Sequence, residues 1–235
     1  PPQLTPVREL VEVNDDLFDW QDLPKSVAMF GSGVIGIELG QALKRLGVDV
    51  HVFSPFVDLG GIQNPEILQT AIDVIGKELP LHLGSDVTSV SERGGSVHIE
   101  WTEADGARRE HDFEKVVAAA GRRANLANLN LQAAGIELSP KGAPIDWDPH
   151  TMQIADSAIF LAGDAAAHRP LLHEASDEGR IAGANAATFP RVRRGHRRMP
   201  LGIVFTDPNI ASVGRRWNSF EPDEAIVGRV SYANQ

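Results

Sequence analysis

Cysteine is absent from this sequence of 235 residues, and tyrosine occurs only once. Without cysteine, these residues can form no disulfide, no thiolate metal site and no cysteine nucleophile. The eight histidines do not fall into a ligand pattern such as H-E-x-x-H on a helix. We therefore predict no metal site and no catalytic cysteine within the chain.

Long apolar runs are also missing, since none approaches the roughly 18–20 residues of a membrane-spanning helix. The opening "PPQLTPVREL" has neither the basic start nor the apolar centre of a signal peptide. We expect a cytoplasmic protein with no membrane partner.

Positive charge is in deficit, with a net charge of −10 and a sequence pI near 5.2. This balance argues against nucleic acid as a partner. One basic segment, "RVRRGHRRMP" at 191–200, contains Gly195 and Pro200 and is interpreted as a solvated connector.

The order of apolar patterns predicts an α/β fold. "SVAMF" (26–30) and "VDVHVFS" (48–54) are typical of buried parallel strands, and residues 34–46 between them have helical spacing. A second helix is predicted at 64–79, with Asn64 as its N-cap. Residues 86–114 alternate in polarity between glycine turns, which predicts a three-stranded antiparallel meander. Further elements follow: buried strands at 115–121 and 158–162, a helix at 171–187 and a strand pair at 201–214.

Gly31, Gly33 and Gly36 form G-x-G-x-x-G between the first strand and the first helix. The first glycine permits a tight turn, the second lets a pyrophosphate approach the backbone, and the third lets helix and strand pack closely. The helix N-terminus adds unpaired N–H groups for the phosphates. We therefore predict a Rossmann-like dinucleotide site whose loop and helix start comprise Gly31, Ser32, Gly33, Val34, Ile35 and Gly36.

The end of the second strand is where an NAD site usually carries Asp or Glu, which binds the adenine ribose. Ser54 occupies that position here. Serine can hydrogen-bond a hydroxyl but does not repel a 2′-phosphate, so the prediction is NAD with modest selectivity.

Five segments in order resemble the FAD-containing pyridine nucleotide-disulfide oxidoreductases, and among them most closely the dihydrolipoamide dehydrogenase group. They are the glycine-loop segment 26–53, "VVAAAGRRAN", "IFLAGDAAA", "LLHEASDEG" and "FTDPNIASVG". The resemblance implies a Rossmann-like FAD/NAD(P)-binding fold, electron transfer between a dithiol or disulfide, FAD and NAD, and a homodimer for the whole protein.

The resemblance also implies roles for individual residues. Glu38 would lie near the nicotinamide, and Gly121 would close over the nicotinamide side. Asp164 would hydrogen-bond the flavin ribityl chain. Leu172 and His173 would begin the helix whose N–H groups face the flavin.

The family's redox cysteine pair, its upstream FAD-binding fingerprint and its downstream His–Glu pair are not found in these residues. We therefore expect an excised piece with no disulfide reductase activity and no bound FAD by itself. Its expected parts are a connecting segment (1–23), the NAD-binding domain (24–123), a central segment from the FAD domain (124–198) and the start of an interface domain (199–235). Two alternatives stay open: another disulfide reductase of the glutathione- or mercuric-reductase type, and a stand-alone NAD-binding module.

Overall fold

A computed structural model describes residues 1–140, 142–221 and 225–231 of the chain. Ten strands are present among them: β1 Val11–Glu12, β2 Ser26–Phe30, β3 Asp49–Ser54, β4 Leu81–Leu83, β5 Asp86–Arg93, β6 Ser96–Thr102, β7 Arg108–Phe113, β8 Lys115–Ala118, β9 Leu201–Val204 and β10 Ile210–Val213. The α-helices are α1 Val34–Arg45, α2 Pro65–Ile75 and α3 Leu172–Thr188. Short 3₁₀ segments cover Pro2–Leu10, Asp16–Asp19, Ala127–Leu129, Leu131–Ala134, Gly163–Ala166 and Trp217–Ser219.

The central sheet is parallel and has the strand order β1-β8-β2-β3-β4. Its middle strand β2 is apolar on both faces, and Val27, Ala28 and Met29 are all 0% exposed. A strand covered on both faces needs a continuous apolar run, which is the pattern that predicted it. The α/β fold class is confirmed.

The predicted meander is present as an antiparallel sheet with the order β5-β6-β7. One of its faces places Val97, Ile99, Trp101 and Phe113 in a core with Phe53 of the parallel sheet. A separate core on the other side of that sheet includes apolar residues of α1 and α2. The parallel sheet therefore lies between a helical layer and the meander.

Helix α2 begins as the sequence predicts, because Asn64 Oδ1 accepts hydrogen bonds from the N–H groups of Glu66 and Ile67, each at 3.0 Å. It ends at Ile75, earlier than the predicted Leu79. Gly76 forms its C-cap, and Leu79 is 0% exposed in the core beside α1. The apolar residues after Gly76 thus belong to a turn that packs inward.

The chain divides into two compact units, one formed by residues 1–121 and 203–235 and the other by residues 122–202. The second unit contains α3 and a series of turns. The buried strand predicted at 158–162 is wrong: Ala158 is exposed, and only Phe160 forms an isolated bridge, with Gln153. A parallel strand requires neighbouring strands for its hydrogen bonds, and none flanks this segment among the described residues of the unit.

The basic segment 191–200 is not simply a solvated connector. The side chain of Arg197 is 8% exposed and lies 2.6 Å from carboxylate oxygens of both Glu174 and Glu178. These glutamates are four residues apart and face the same side of α3. Their two buried carboxylates explain why one arginine of the segment turns inward.

Candidate functional site

Two glycines, one in the loop after β2 and one in the first turn of α1, lie so close to neighbouring backbone that a side chain on either would overlap it. Gly31 has φ +127°, and a Cβ there would overlap the carbonyl oxygen of Ala119 and lie 2.7 Å from its carbonyl carbon. A Cβ on Gly36 would overlap the carbonyl oxygen of Gly31 and lie 2.9 Å from its carbonyl carbon. The first and third glycines therefore hold the loop, the start of α1 and the end of β8 together.

Gly33 differs from these two, because nothing lies within 4 Å of the position a Cβ would take and its φ is −70°. It is the N-cap of α1 and supplies no side-chain hydrogen bond to the helix. The first intrahelical bond runs from Ile37 N–H to Gly33 O, at 3.1 Å. The N–H groups of the first turn, including Val34 and Ile35, therefore have no partner within the helix, as an anion site requires.

Three strand ends meet beside this loop. Gly31 follows β2, Ser54 ends β3 and Gly121 lies three residues beyond β8. Because β8, β2 and β3 are adjacent and parallel, their carboxyl ends share one edge of the sheet. At this edge β3 lies on one side of β2 and β8 on the other, so the strand order changes direction here. Such a switch point is where dinucleotides bind in open α/β sheets. Gly121 is exposed at this edge with φ +101°.

Ser54 lies at the predicted ribose position, but its hydroxyl is already engaged. The side chain is 4% exposed, accepts a hydrogen bond from Phe56 N–H at 3.2 Å and donates to Asp58 Oδ1 at 3.0 Å. Ser32, 3% exposed in the glycine loop, donates to the same Asp58 oxygen. Two buried hydroxyls thus position one carboxylate between the glycine loop and the end of β3.

The exposed charged residue at this point is therefore Asp58, which the sequence reasoning missed. Its loop folds back over the glycine loop, because Gly60 N–H donates to Ser32 O at 2.8 Å. Gly60 has φ +57° and lies against Ile37 of α1. The motif D-x-G-G at residues 58–61, shortly after the second strand, was the one indication in the sequence. The fold of this loop over the glycine loop depends on contacts between residues that are distant in sequence.

Glu38 lies one turn along α1 from Gly33 and Val34, half-buried. Its Oε1 accepts the backbone N–H of Phe205 at 2.7 Å. Gln41, one turn further, accepts Asp207 N–H at 2.8 Å and donates to Asp207 O at 3.0 Å. The helix that carries the glycine loop therefore also holds the turn between β9 and β10.

The remaining predicted site residues lie in the second compact unit. Asp164 is in the 3₁₀ segment Gly163–Ala166 and forms an ion pair with Arg122 at 3.0 Å. Gly163 N–H donates to Glu178 Oε2 at 2.7 Å. Because Glu178 is 0% exposed and also pairs with Arg197, a buried charge network fixes the turn that presents Asp164.

Leu172 and His173 begin α3, as predicted, and both are exposed, Leu172 at 89%. Leu171 is the N-cap and makes no side-chain hydrogen bond to the helix. The N–H groups of the first turn are therefore available to a polar or anionic group. Among the described residues, the side chain of His173 has no hydrogen-bond partner that would indicate a specific role.

Two histidines, one on β3 and one on β4, lie next to each other on the side of the sheet that faces the core. His51 Nδ1 and His82 Nε2 are 2.9 Å apart, and His82 Nδ1 lies 2.7 Å from Glu103 Oε1. Burial, followed by the charge of His82, lowers the pKa of His51 to about 4. Burial also lowers the pKa of His82, partly offset by Glu103. The pair is thereby kept neutral at neutral pH.

No helix in the described part of the chain is long and apolar enough to cross a membrane. The parallel sheet, its glycine loop and the inserted meander define a Rossmann-like FAD/NAD(P)-binding fold. A family profile described as pyridine nucleotide-disulphide oxidoreductase matches residues 7–179. The chain belongs to that family, which confirms the resemblance found in the sequence.

Named relatives are consistent with this family. A mercuric reductase of Staphylococcus aureus is 33% identical over 83% of this chain and 35% of its own length. A dihydrolipoyl dehydrogenase of Cupriavidus necator is 29% identical over 88% of this chain and 43% of its own. The crystal structure of LpdA from Mycobacterium tuberculosis has a TM-score of 0.73 and 27% identity, covering 93% of this chain and 46% of that one.

The HOCl-induced flavoprotein disulfide reductase RclA from Escherichia coli has a TM-score of 0.74 at 19% identity, over 89% of this chain and 47% of its own, which shows the same fold. The chain thus spans less than half the length of each of these proteins.

Proposed function

We propose that the chain carries the nicotinamide-dinucleotide site of a dihydrolipoyl dehydrogenase-type flavoprotein, which passes electrons between a dithiol or disulfide, FAD and NAD. Membership of the oxidoreductase family supports the reaction class. The observation that carries the dinucleotide site is the glycine loop, where Gly31 and Gly36 exclude side chains and Gly33 faces open space. NAD and FAD supply the redox chemistry when bound, while the residues of the chain bind and orient them.

The proposed contacts follow from the arrangement of the strand ends. The pyrophosphate would lie over Gly33 and the N–H groups of Val34 and Ile35. Asp58 would accept the ribose hydroxyls through Oδ2, since Oδ1 already takes both serine hydroxyls. Its charge would also repel a 2′-phosphate, which favours NAD over NADP. Glu38 and Gly121 would border the nicotinamide.

For FAD, Asp164 and the helix start at Leu172 and His173 are the proposed contacts. The Gly163 turn that presents Asp164 is held by the buried carboxylate of Glu178. A helix N-terminus favours negative charge on a neighbouring group, which suits a reduced flavin. We further propose that the whole protein is a cytoplasmic homodimer.

Calorimetry of NADH binding to Gly33→Val tests the dinucleotide site. A Cβ at this position has open space around it, with nothing within 4 Å beyond its neighbours in the chain, so binding should be lost without loss of the fold. Gly179→Val is the matched control, because Gly179 also has nothing within 4 Å but lies on α3. Undiminished NADH binding by Gly33→Val would contradict the assignment.

A mercuric-reductase-type activity is the second candidate, because a mercuric reductase is 33% identical to this chain. NADH-dependent reduction of lipoamide and of mercuric ion by the whole protein would separate the two. A stand-alone binding module, the third possibility, predicts that neither substrate is reduced while NADH still binds.

A further inference from the structure

Acidic side chains lie opposite one another on the meander. The register of β6 and β7 pairs Glu100 with Glu110 and, two residues along each strand, His98 with Asp112. Residues two apart on a strand share a face, so these four side chains form one patch. Like charges directly opposite on neighbouring strands are destabilising unless another group neutralises them.

His98 lies within this patch and is nearly inaccessible, since its side chain is 4% exposed. Its Nδ1 is 2.7 Å from Asp112 Oδ1, so in the neutral ring that nitrogen carries the proton and donates to the carboxylate. Its Nε2 lies 3.5 Å from Glu100 Oε1 and 3.6 Å from Glu110 Oε2. This buried Nε2 has no hydrogen-bond partner among the described residues. A lone pair therefore faces two carboxylates.

We propose that His98 Nε2, Glu100 and Glu110 bind a first-row divalent cation of the Zn²⁺ type. The three ligand atoms lie within 4.8 Å of one another. Around tetrahedral Zn²⁺, with bonds of about 2.0–2.2 Å, neighbouring ligand atoms are roughly 3.3–3.6 Å apart, which agrees with both measured separations. Asp112 holds the imidazole in the required tautomer, an arrangement common around metal-binding histidines.

Lysine and arginine side chains in the described part of the chain do not neutralise these two carboxylates. Among the described residues, Glu100 and Glu110 form ion pairs with His98 alone, and no lysine or arginine lies within 4.0 Å of either carboxylate. A proton on Nε2 would neutralise part of the charge, but separations of 3.5 and 3.6 Å exceed those of normal N–H···O hydrogen bonds. A metal ion accounts for both separations at once.

We assign the site a structural role because it joins β6 to β7. Its three protein ligands leave the fourth position of a tetrahedral ion to water. It is independent of the dinucleotide site. It also departs from the sequence prediction of no metal, since His98-x-Glu100 and Glu110 become a ligand set only through the pairing of two strands. The absence of cysteine leaves no thiolate in these residues to compete for the ion.

Titration of the tag-free, metal-stripped chain with Co²⁺ tests the proposal by visible absorption, and Zn²⁺ binding is then measured by competition. We expect one ion per chain and the absorption bands of four-coordinate cobalt. Glu100→Gln/Glu110→Gln should weaken binding at least 100-fold, and Asp112→Asn about 10- to 100-fold. Asp86→Asn/Glu92→Gln, with the same charge change on exposed positions of β5, should bind like the wild type.

Thermal unfolding gives a second measurement that does not depend on absorbance. Without metal, Glu100→Gln/Glu110→Gln should unfold at a higher temperature than the wild type, because the charge repulsion is removed. With Zn²⁺, only the wild type and the β5 control should gain stability. Absence of stoichiometric binding to the wild type, or equal binding by the double variant, would overturn the proposal.

Discussion

The hydroxyl of Ser54 donates to Asp58 Oδ1 at 3.0 Å, so the residue at the end of β3 positions a neighbouring carboxylate. Ser32 reaches the same oxygen from the glycine loop. A carboxylate therefore lies near the position at which Rossmann folds bind the adenine ribose, although the strand itself ends in serine. This relationship turns the weak cofactor preference expected from Ser54 into a specific hypothesis about Asp58.

Asp58→Asn should relax the preference for NADH over NADPH by about 10-fold, because it removes the charge that repels a 2′-phosphate and keeps an oxygen that can accept both serine hydroxyls. Calorimetric titration with each cofactor measures the ratio of dissociation constants. Asp73→Asn on α2 serves as the control. An unchanged ratio in Asp58→Asn would remove this residue from cofactor selection.

Gly36→Ala should destabilise the fold by about 1–3 kcal/mol, since the new methyl group would overlap the carbonyl oxygen of Gly31. Gly33→Ala is the matched control in the same loop, where a methyl group meets nothing within 4 Å. Replacing the N-cap glycine by alanine there should cost at most about 1 kcal/mol. Urea denaturation of the two variants compares them, and equal stabilities would show that the Gly31–Gly36 approach is not tight.

Local chemistry made much of this site predictable from the sequence. The spacing of Gly31, Gly33 and Gly36 between a buried strand and a helix, and the Asn64 cap, depend on neighbours in the chain. Asp58 and Arg197 were missed because their roles depend on contacts between distant segments. Arg197 is 19 residues from the Glu178 carboxylate it binds. The strand predicted at 158–162 was wrong because apolar composition alone does not supply a neighbouring strand.

Arg197→Met should destabilise the second compact unit by about 3–5 kcal/mol, because it leaves the buried carboxylates of Glu174 and Glu178 without their main cation. Arg194→Met, at an exposed position of the same segment, should have little effect. Adding Glu178→Gln to Arg197→Met should recover part of the loss, since one buried charge is then removed. Chemical denaturation of the wild type, Arg197→Met, Glu178→Gln and the double variant forms a double-mutant cycle, and additive effects would contradict the coupling.

The stability of the fold should decrease as the pH falls from about 6.5 towards 4, and part of that decrease should come from His51. Its pKa is lowered to about 4 in the folded protein, first by burial and then by the charge of His82, with smaller contributions from His111 and Lys44 and an opposing one from Asp49. In the unfolded chain the pKa is near 6.5, so below that value the unfolded state binds the additional proton.

His51 therefore contributes its full stability above about pH 6.5 and loses it as the pH falls through the folded pKa of about 4. Because the site is partly solvated, we expect a loss of about 1–2 kcal/mol, less than the full shift would imply.

His51→Phe keeps an aromatic ring against Phe53, whose ring centroid lies 6.5 Å from that of His51, and removes the titrating group. The free energy of unfolding, measured in urea at pH 7 and at pH 4.5, should then fall less in His51→Phe than in the wild type. His196→Phe, at an exposed position, should keep the wild-type dependence, and a His51→Phe protein with that same dependence would rule out this histidine as a source of acid sensitivity.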